Sequence, residues 1–307
     1  MEQIQKRDDL DNAIARVAAG FSGDLAFAAR NLKTGETIEV NADTVFPTAS
    51  VIKLAVLVEV FRHAAEGRID LQQRVTLNED EIVRGSGILK ELGAGLNPTV
   101  YDLATLMVVL SDNTATNMLI DLVGGVDAVN HTVHNRLGLR TIVLHNRVDF
   151  AKIGDDIRQF GESSAGEMME LVARIANREI VDAVSSRAME DIMQRQQYLD
   201  QVPRYVNFNP YAKELRLEQP MWIGCKTGFF PGTRVDAGFM RLPEEVTIAY
   251  CAMTDGSADT SIAAETEGVV VNGVLGRLML EYWWPGERIP EGILLASPHV
   301  AARIGVG

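Results

Sequence analysis

The chain reads as an α+β protein: an antiparallel five-stranded sheet flanked by helices, with an all-helical lobe inserted between its strands. Three observations predict this. Two strand-like runs, 24–32 and 36–41, come early, and three more, 221–227, 235–242 and 246–254, come late. Helix-period patterns fill most of 50–200 between them, with no regular strand–helix alternation. A long apolar helical run, 260–283, follows the last strand.

Taken in order, residues 3–19 form an amphipathic helix. Lys33-Thr34-Gly35 then makes the hairpin turn between the first two strands, with Gly supplying positive φ. Pro47 and Thr48 are start signals for a helix carrying the apolar run Val51–Phe61. Further helices are expected at 102–110, 114–123, 126–136, 165–177 and 180–197. The expected lobes are 1–48 with 206–307, and 49–205, with the active site in the cleft between them. Residues 285–307 read as a surface tail.

Composition narrows the function. The 307 residues, 47% hydrophobic and 23% charged, match ordinary globular usage and exclude a disordered chain. A net charge of −13 argues against nucleic acid, because phosphate contacts need clustered Lys and Arg. No stretch reaches the apolar length of a membrane helix. Met1–Asp9 carries charge without an apolar segment behind it, so it is not a secretory leader. The location is periplasmic or secreted if a leader was trimmed, and cytoplasmic if there was none. His131 and His134 share a helix face but read as a solvated pair, and no metal or cofactor is expected. The expected partner is a small-molecule substrate, with a monomer as the default.

Three short strings carry the chemistry. Ser50-Val51-Ile52-Lys53 places a hydroxyl and an amine three residues apart in a first helical turn, on one face. Serine is a weak nucleophile until a base takes its proton, and lysine serves as that base only when burial or a second cation lowers its pKa. Ser111-Asp112-Asn113 lies between two apolar helices, where a turn with an N-cap is the plain alternative. Lys226-Thr227-Gly228 ends a strand-like run, whereas the copy at Lys33-Thr34-Gly35 precedes both other strings.

In order and spacing, these strings resemble the penicillin-recognising serine hydrolases: class A β-lactamases and the related D-Ala-D-Ala peptidases. The likeness runs from about residue 10 to residue 284 and includes Asp112–Asn117 and Gly232-Thr233-Arg234-Val235-Asp236. Gly85-Ser86-Gly87-Ile88-Leu89 and Gln196-Gln197-Tyr198 with Pro203-Arg204 resemble a broad branch of β-lactamase-like proteins.

The resemblance implies that Ser50 attacks a carbonyl, Lys53 takes its proton and Ser111 relays it to the leaving nitrogen. Asn113 would hold the substrate's side-chain amide. Lys226, Thr227 and Gly228 would border the substrate carboxylate, with Arg234 adding charge; pairing with Asp236 is the alternative for Arg234. Backbone N–H groups of Ser50 and Phe229 would form the oxyanion hole. The family topology also places a strand between those of Cys225 and Cys251. That separates their Cα atoms by about 9–10 Å, so both are expected as free thiols.

One part departs. Class A β-lactamases carry Glu-x-x-x-Asn in the loop that holds the deacylating water. Here Leu144–Asp156 contains no such pair. Asp149 is the nearest carboxylate, and Asp155 and Asp156 are less well placed. Asp149 either activates the water or is structural, as a cap or a partner of Arg147. Three readings of function follow: a β-lactamase-like hydrolase with slow deacylation through Asp149 or Lys53; a D-Ala-D-Ala carboxypeptidase or small-ester hydrolase; and a penicillin-binding module acylated without turnover.

Overall fold

A computed structural model describes residues 6–219 and 221–285. The start of the expected first helix and the tail beyond Pro285 lie outside the described residues.

Helix α1 (Arg7–Gly20) leads into strands β1 (Asp24–Asn31), β2 (Thr37–Val40) and β3 (Val45–Pro47). A 3-10 turn (Ala49–Ile52) opens α2 (Lys53–Ala65), followed by α3 (Leu89–Leu92), α4 (Val100–Val109), α5 (Asn113–Leu122) and α6 (Val126–His131). Then come β4 (Val143–Leu144), α7 (Phe150–Ile153), β5 (Gly161–Ser164), α8 (Ala165–Ala176) and α9 (Ala183–Met193). Strands β6 (Trp222–Phe230), β7 (Thr233–Arg241) and β8 (Thr247–Asp255) precede α10 (Glu267–Trp283).

The main sheet is antiparallel, in the order β2-β1-β8-β7-β6. The strand carrying Lys226 is therefore an edge strand. Both faces are covered, which is why β8 is buried along nearly its whole length. On one face, Val235, Ala237, Cys251 and Met253 join a core with α2, α4, α5 and α8. On the other, Cys225, Tyr250 and Ala252 pack with Leu10, Ile14 and Val17 of α1 and Val270, Val274 and Leu278 of α10. Cys225 and Cys251 are both buried, free thiols, with β7 between their strands. They also belong to opposite cores, which alternation along antiparallel strands enforces.

Several boundaries move for identifiable reasons. Pro47 belongs to β3, and Thr48 makes no side-chain cap. The run at 180–197 stops as α9 at Met193, after which Gln196 Nε2 donates to the Val108 and Cys225 carbonyls. The last helix starts at Glu267, not 260, because the preceding residues form a loop over Arg234. A small sheet, β3-β5-β4, was not expected. Its strands of two to four residues are too short to show alternation. No helix among the described residues is long and apolar enough to cross a membrane.

Candidate active site

Ser50 sits in the 3-10 turn, and Lys53 is the first residue of α2. A 3-10 turn repeats every three residues, so side chains at i and i+3 eclipse. Ser50 and Lys53 therefore share one face of the turn, and the hydrogen bonds of Lys53 Nζ go to Ser111 and Asn113. The turn is strained at Ala49, whose φ is 43°. It packs against β6: a Cβ on Gly228 would lie 2.8 Å from the Thr48 carbonyl oxygen and 2.9 Å from the Ser50 nitrogen. Only glycine permits that approach, and Phe229, whose N–H is the other expected oxyanion donor, follows it in the chain.

Lys53 is fully buried at the start of an apolar helix. Its Nζ lies 2.8 Å from the Ser111 carbonyl oxygen, 3.1 Å from Ser111 Oγ and 2.9 Å from Asn113 Oδ1. Among the described residues, no carboxylate bonds it. Burial, then the nearby Lys226 charge, pushes its pKa well below the ordinary lysine value, with Asp112 opposing. A neutral amine has two hydrogens and one lone pair. Two of its neighbours, the carbonyl and the amide oxygen, can only accept, and the third is a hydroxyl that can donate. The environment therefore suits an uncharged base. Lys226 is also fully buried, and burial lowers its pKa to about 7, with Cys225 and Asp236 opposing. Its Nζ donates to the Thr227 carbonyl.

Ser111 has φ 52°, a left-handed conformation that serine rarely adopts. Asp112 holds it there. Its Oδ1 caps α5 by accepting from Ala115 N–H, while Oδ2 accepts from the N–H groups of Ile88 and Leu89. A Cβ on Gly87 would lie 2.3 Å from the Asp112 carboxylate. The Gly85–Leu89 segment is thus bound to the middle residue of the second motif. Asn113 Nδ2 donates to the Arg84 carbonyl, leaving one of its two hydrogens for a ligand.

Beside Ser111 lies a cavity of about 280 Å³ lined by Thr227, Phe229, Arg234, Tyr198, Asp200 and Ile262, among others. Arg234 does not pair with Asp236. Its guanidinium donates to the carbonyls of Phe230, Thr233 and Ser261 and stands 5.8 Å from the Phe229 ring centroid. Asp236 is buried elsewhere, accepting from Val202 N–H.

Asp149 stands apart from this cavity. Its Oδ1 caps α7 by accepting from Ala151 N–H, and it lines a second cavity of about 570 Å³ with Arg84, Val148 and Phe150. Arg147 pairs with Asp121 instead. The loop is anchored by Asn117, whose side-chain amide bonds both the N–H and the carbonyl of Val148.

The structure thus joins Lys53, Ser111 and Asn113 by hydrogen bonds, and it gathers Ser111, Thr227, Phe229 and Arg234 around one cavity. Sequence reasoning missed Tyr198, Asp200 and Ile262 as cavity residues and Asn117 as the loop anchor. Asn117 and Tyr198 lay in strings that carried the resemblance, Asn117 one turn beyond Asn113 on the same helix face, whereas Asp200 and Ile262 left no signal.

A sequence model described as "Beta-lactamase enzyme family" matches residues 9–283. The chain is 26% identical over 124 residues to β-lactamase VEB-1 of Pseudomonas aeruginosa, an alignment spanning 40% of this chain and 42% of that protein. A solved β-lactamase from Sphaerobacter thermophilus DSM 20745 superposes with TM-score 0.78 at 28% identity, over 90% of this chain and 97% of that one. PBP-A superposes with TM-score 0.76 at 26% identity, over 91% and 98%. A mutant of PBP-A is an acyl-enzyme complex with penicillin G.

Proposed function

The chain belongs to the beta-lactamase enzyme family and is a serine hydrolase of that type, and we propose that it opens β-lactam amides through an acyl-enzyme on Ser50. The observation that carries this is Lys53, buried without a carboxylate partner and bonded across the cleft to Ser111 and Asn113.

Lys53 Nζ takes the Ser50 hydroxyl proton as Oγ attacks the lactam carbon. The N–H groups of Ser50 and Phe229 receive the oxyanion. The C–N bond then breaks, and a proton passes from Lys53 through Ser111 to the departing nitrogen. The ring is left open and the acyl group is esterified to Ser50. Thr227, Arg234 and protonated Lys226 attract the substrate carboxylate. Water then attacks the ester, Lys53 takes its proton, and Ser50 recovers its hydrogen as the acid leaves. Lys53 is the base for this step because Asp149 lines the second cavity and not the one at Ser111. Deacylation is accordingly slow. The same observation favours a second reading, a penicillin-binding protein that stays acylated.

Intact-protein mass spectrometry after benzylpenicillin tests the proposal. One adduct, mapped to Ser50 and lost slowly, is expected. Chromogenic cephalosporin turnover separates the readings: steady hydrolysis supports the first, and a single stoichiometric burst supports the second. An adduct absent from wild type, or still present in Ser50→Ala, would reject the nucleophile.

A further inference from the structure

We propose that Gln201 is a positioning residue for the oxyanion hole: its side-chain amide sets the plane of the peptide unit that presents the Phe229 N–H. This rests on the Ser50 acylation reading.

Gln201 Nε2 donates to the Gly228 carbonyl at 3.2 Å. That carbonyl and the Phe229 N–H belong to one planar trans peptide and point in opposite directions. A donor held on the oxygen therefore limits rotation of the unit, and with it the aim of the N–H. Gly228 also brings this unit to the other expected donor, since a Cβ there would lie 2.9 Å from the Ser50 nitrogen. Because β6 is an edge strand, sheet pairing supports the unit from one side only. Gln201 lines the same cavity as Ser111, Thr227 and Phe229.

Gln201 is itself held in place. It is 2% exposed, and Asn272 of α10 is fully buried behind it. Asn272 Nδ2 donates to Gln201 Oε1 at 2.8 Å and to the Arg234 carbonyl at 3.3 Å. The carbonyls at the two ends of this relay, Gly228 and Arg234, can only accept. Both amides must therefore turn their nitrogens toward them, and a single orientation of the pair satisfies the chain. Asn272 Oδ1 is left buried without a partner among the described residues, so that amide is turned for its nitrogen. The adjoining backbone is clamped as well. Val202 N–H donates to Asp236 Oδ2 at 3.0 Å, and a Cβ on Gly276 would collide with the Val202 carbonyl oxygen. Asn272 and Gly276 lie one turn apart on α10, so one helix face supports both residues 201 and 202.

Gln201→Met keeps the length of the side chain and removes the donor. Acylation by saturating benzylpenicillin, read by stopped flow, is expected to slow about tenfold, less than the roughly hundredfold or more of deleting an oxyanion donor. Affinity for the initial complex should barely change, since the hole acts on the transition state. The infrared band of the acyl-enzyme ester carbonyl should move to higher wavenumber, because a poorly aimed N–H polarises that bond less. In Gln201→Glu the neutral acid can donate to Gly228 and the carboxylate cannot. Its acylation rate relative to wild type should therefore recover as pH falls from about 8 to about 5. Thermal melting reports the fold, and if Gln201→Met does not fold, the pH response of Gln201→Glu decides. An unmoved carbonyl band in Gln201→Met, or a Gln201→Glu rate that is low and flat with pH relative to wild type, would overturn the positioning role and leave the Ser50 reading standing. No acyl adduct on the wild type would overturn both.

Discussion

Gly228 on β6 lies against the turn that carries Ser50, so close that a methyl group there would sit 2.9 Å from the Ser50 nitrogen. The contact fixes how the edge strand meets Ser50, the proposed nucleophile. Gly228→Ala must push the turn away from the Phe229 N–H. A shift of about 1 Å costs roughly a hundredfold in rate. The expected result is acylation by benzylpenicillin slowed about a hundredfold, with substrate-independent stability changed far less. Stopped-flow acylation and thermal melting read the two separately.

Lys226 should set the alkaline limb of acylation. With a pKa of about 7 it is charged below neutrality and neutral above. If its positive form attracts the substrate carboxylate as proposed, the second-order acylation constant should fall as pH rises through 7, following the free protein. An ester substrate without a carboxylate should lack this limb. A profile flat from pH 6 to 9 for both substrates would contradict the assignment.

Asp112 is a structural carboxylate. Removing it in Asp112→Ala loses the α5 cap and orphans two further N–H groups at Ile88 and Leu89. The expected cost is about 2–4 kcal/mol, measured by urea denaturation. Acylation should fall as well, because Asn113 N–H bonds the Ser86 carbonyl in the same segment.

Asp149→Asn should leave the decay rate of the acyl-enzyme unchanged, since asparagine caps a helix as well as aspartate does. A loss of deacylation with acylation intact, seen by mass spectrometry over time, would return Asp149 to the mechanism.

Asp236 predicts a pH-dependent stability gain. Burial raises its pKa well above the ordinary aspartate value, with the Val202 N–H bond opposing. The native state therefore binds a proton that the unfolded state releases above about pH 4. Stability falls with rising pH from that point toward the native pKa. Asp236→Asn removes the titration, so the variant should gain stability over wild type as pH rises from 4 to 8. Parallel denaturation curves at several pH values measure it.

Local signals carried much of this protein. Strand-like runs located β1, β2, β6, β7 and β8 within about three residues, because each is a run of several residues bounded by turn residues. Ser50, Lys53, Ser111, Asn113 and Lys226 could be singled out because hydroxyl, amine and amide side chains stand there in three short strings in a fixed order; the structure bonds Lys53 to Ser111 and Asn113. Short-range patterns failed where long-range contacts dictated the backbone. The end of α9 is set by Gln196 reaching Val108 and Cys225, and β3 pairs with a segment more than a hundred residues away.

What the residue order determined by itself was the element sequence, the reactive groups and the missing Glu-x-x-x-Asn, all consequences of side-chain type and local spacing. What only tertiary packing decided was their state and use. Lys53 and Lys226 become weak bases because folding strips them of water, and Asp149 is placed at a helix end. Desolvation and proximity arise when distant segments close on one another, so no local pattern encodes them.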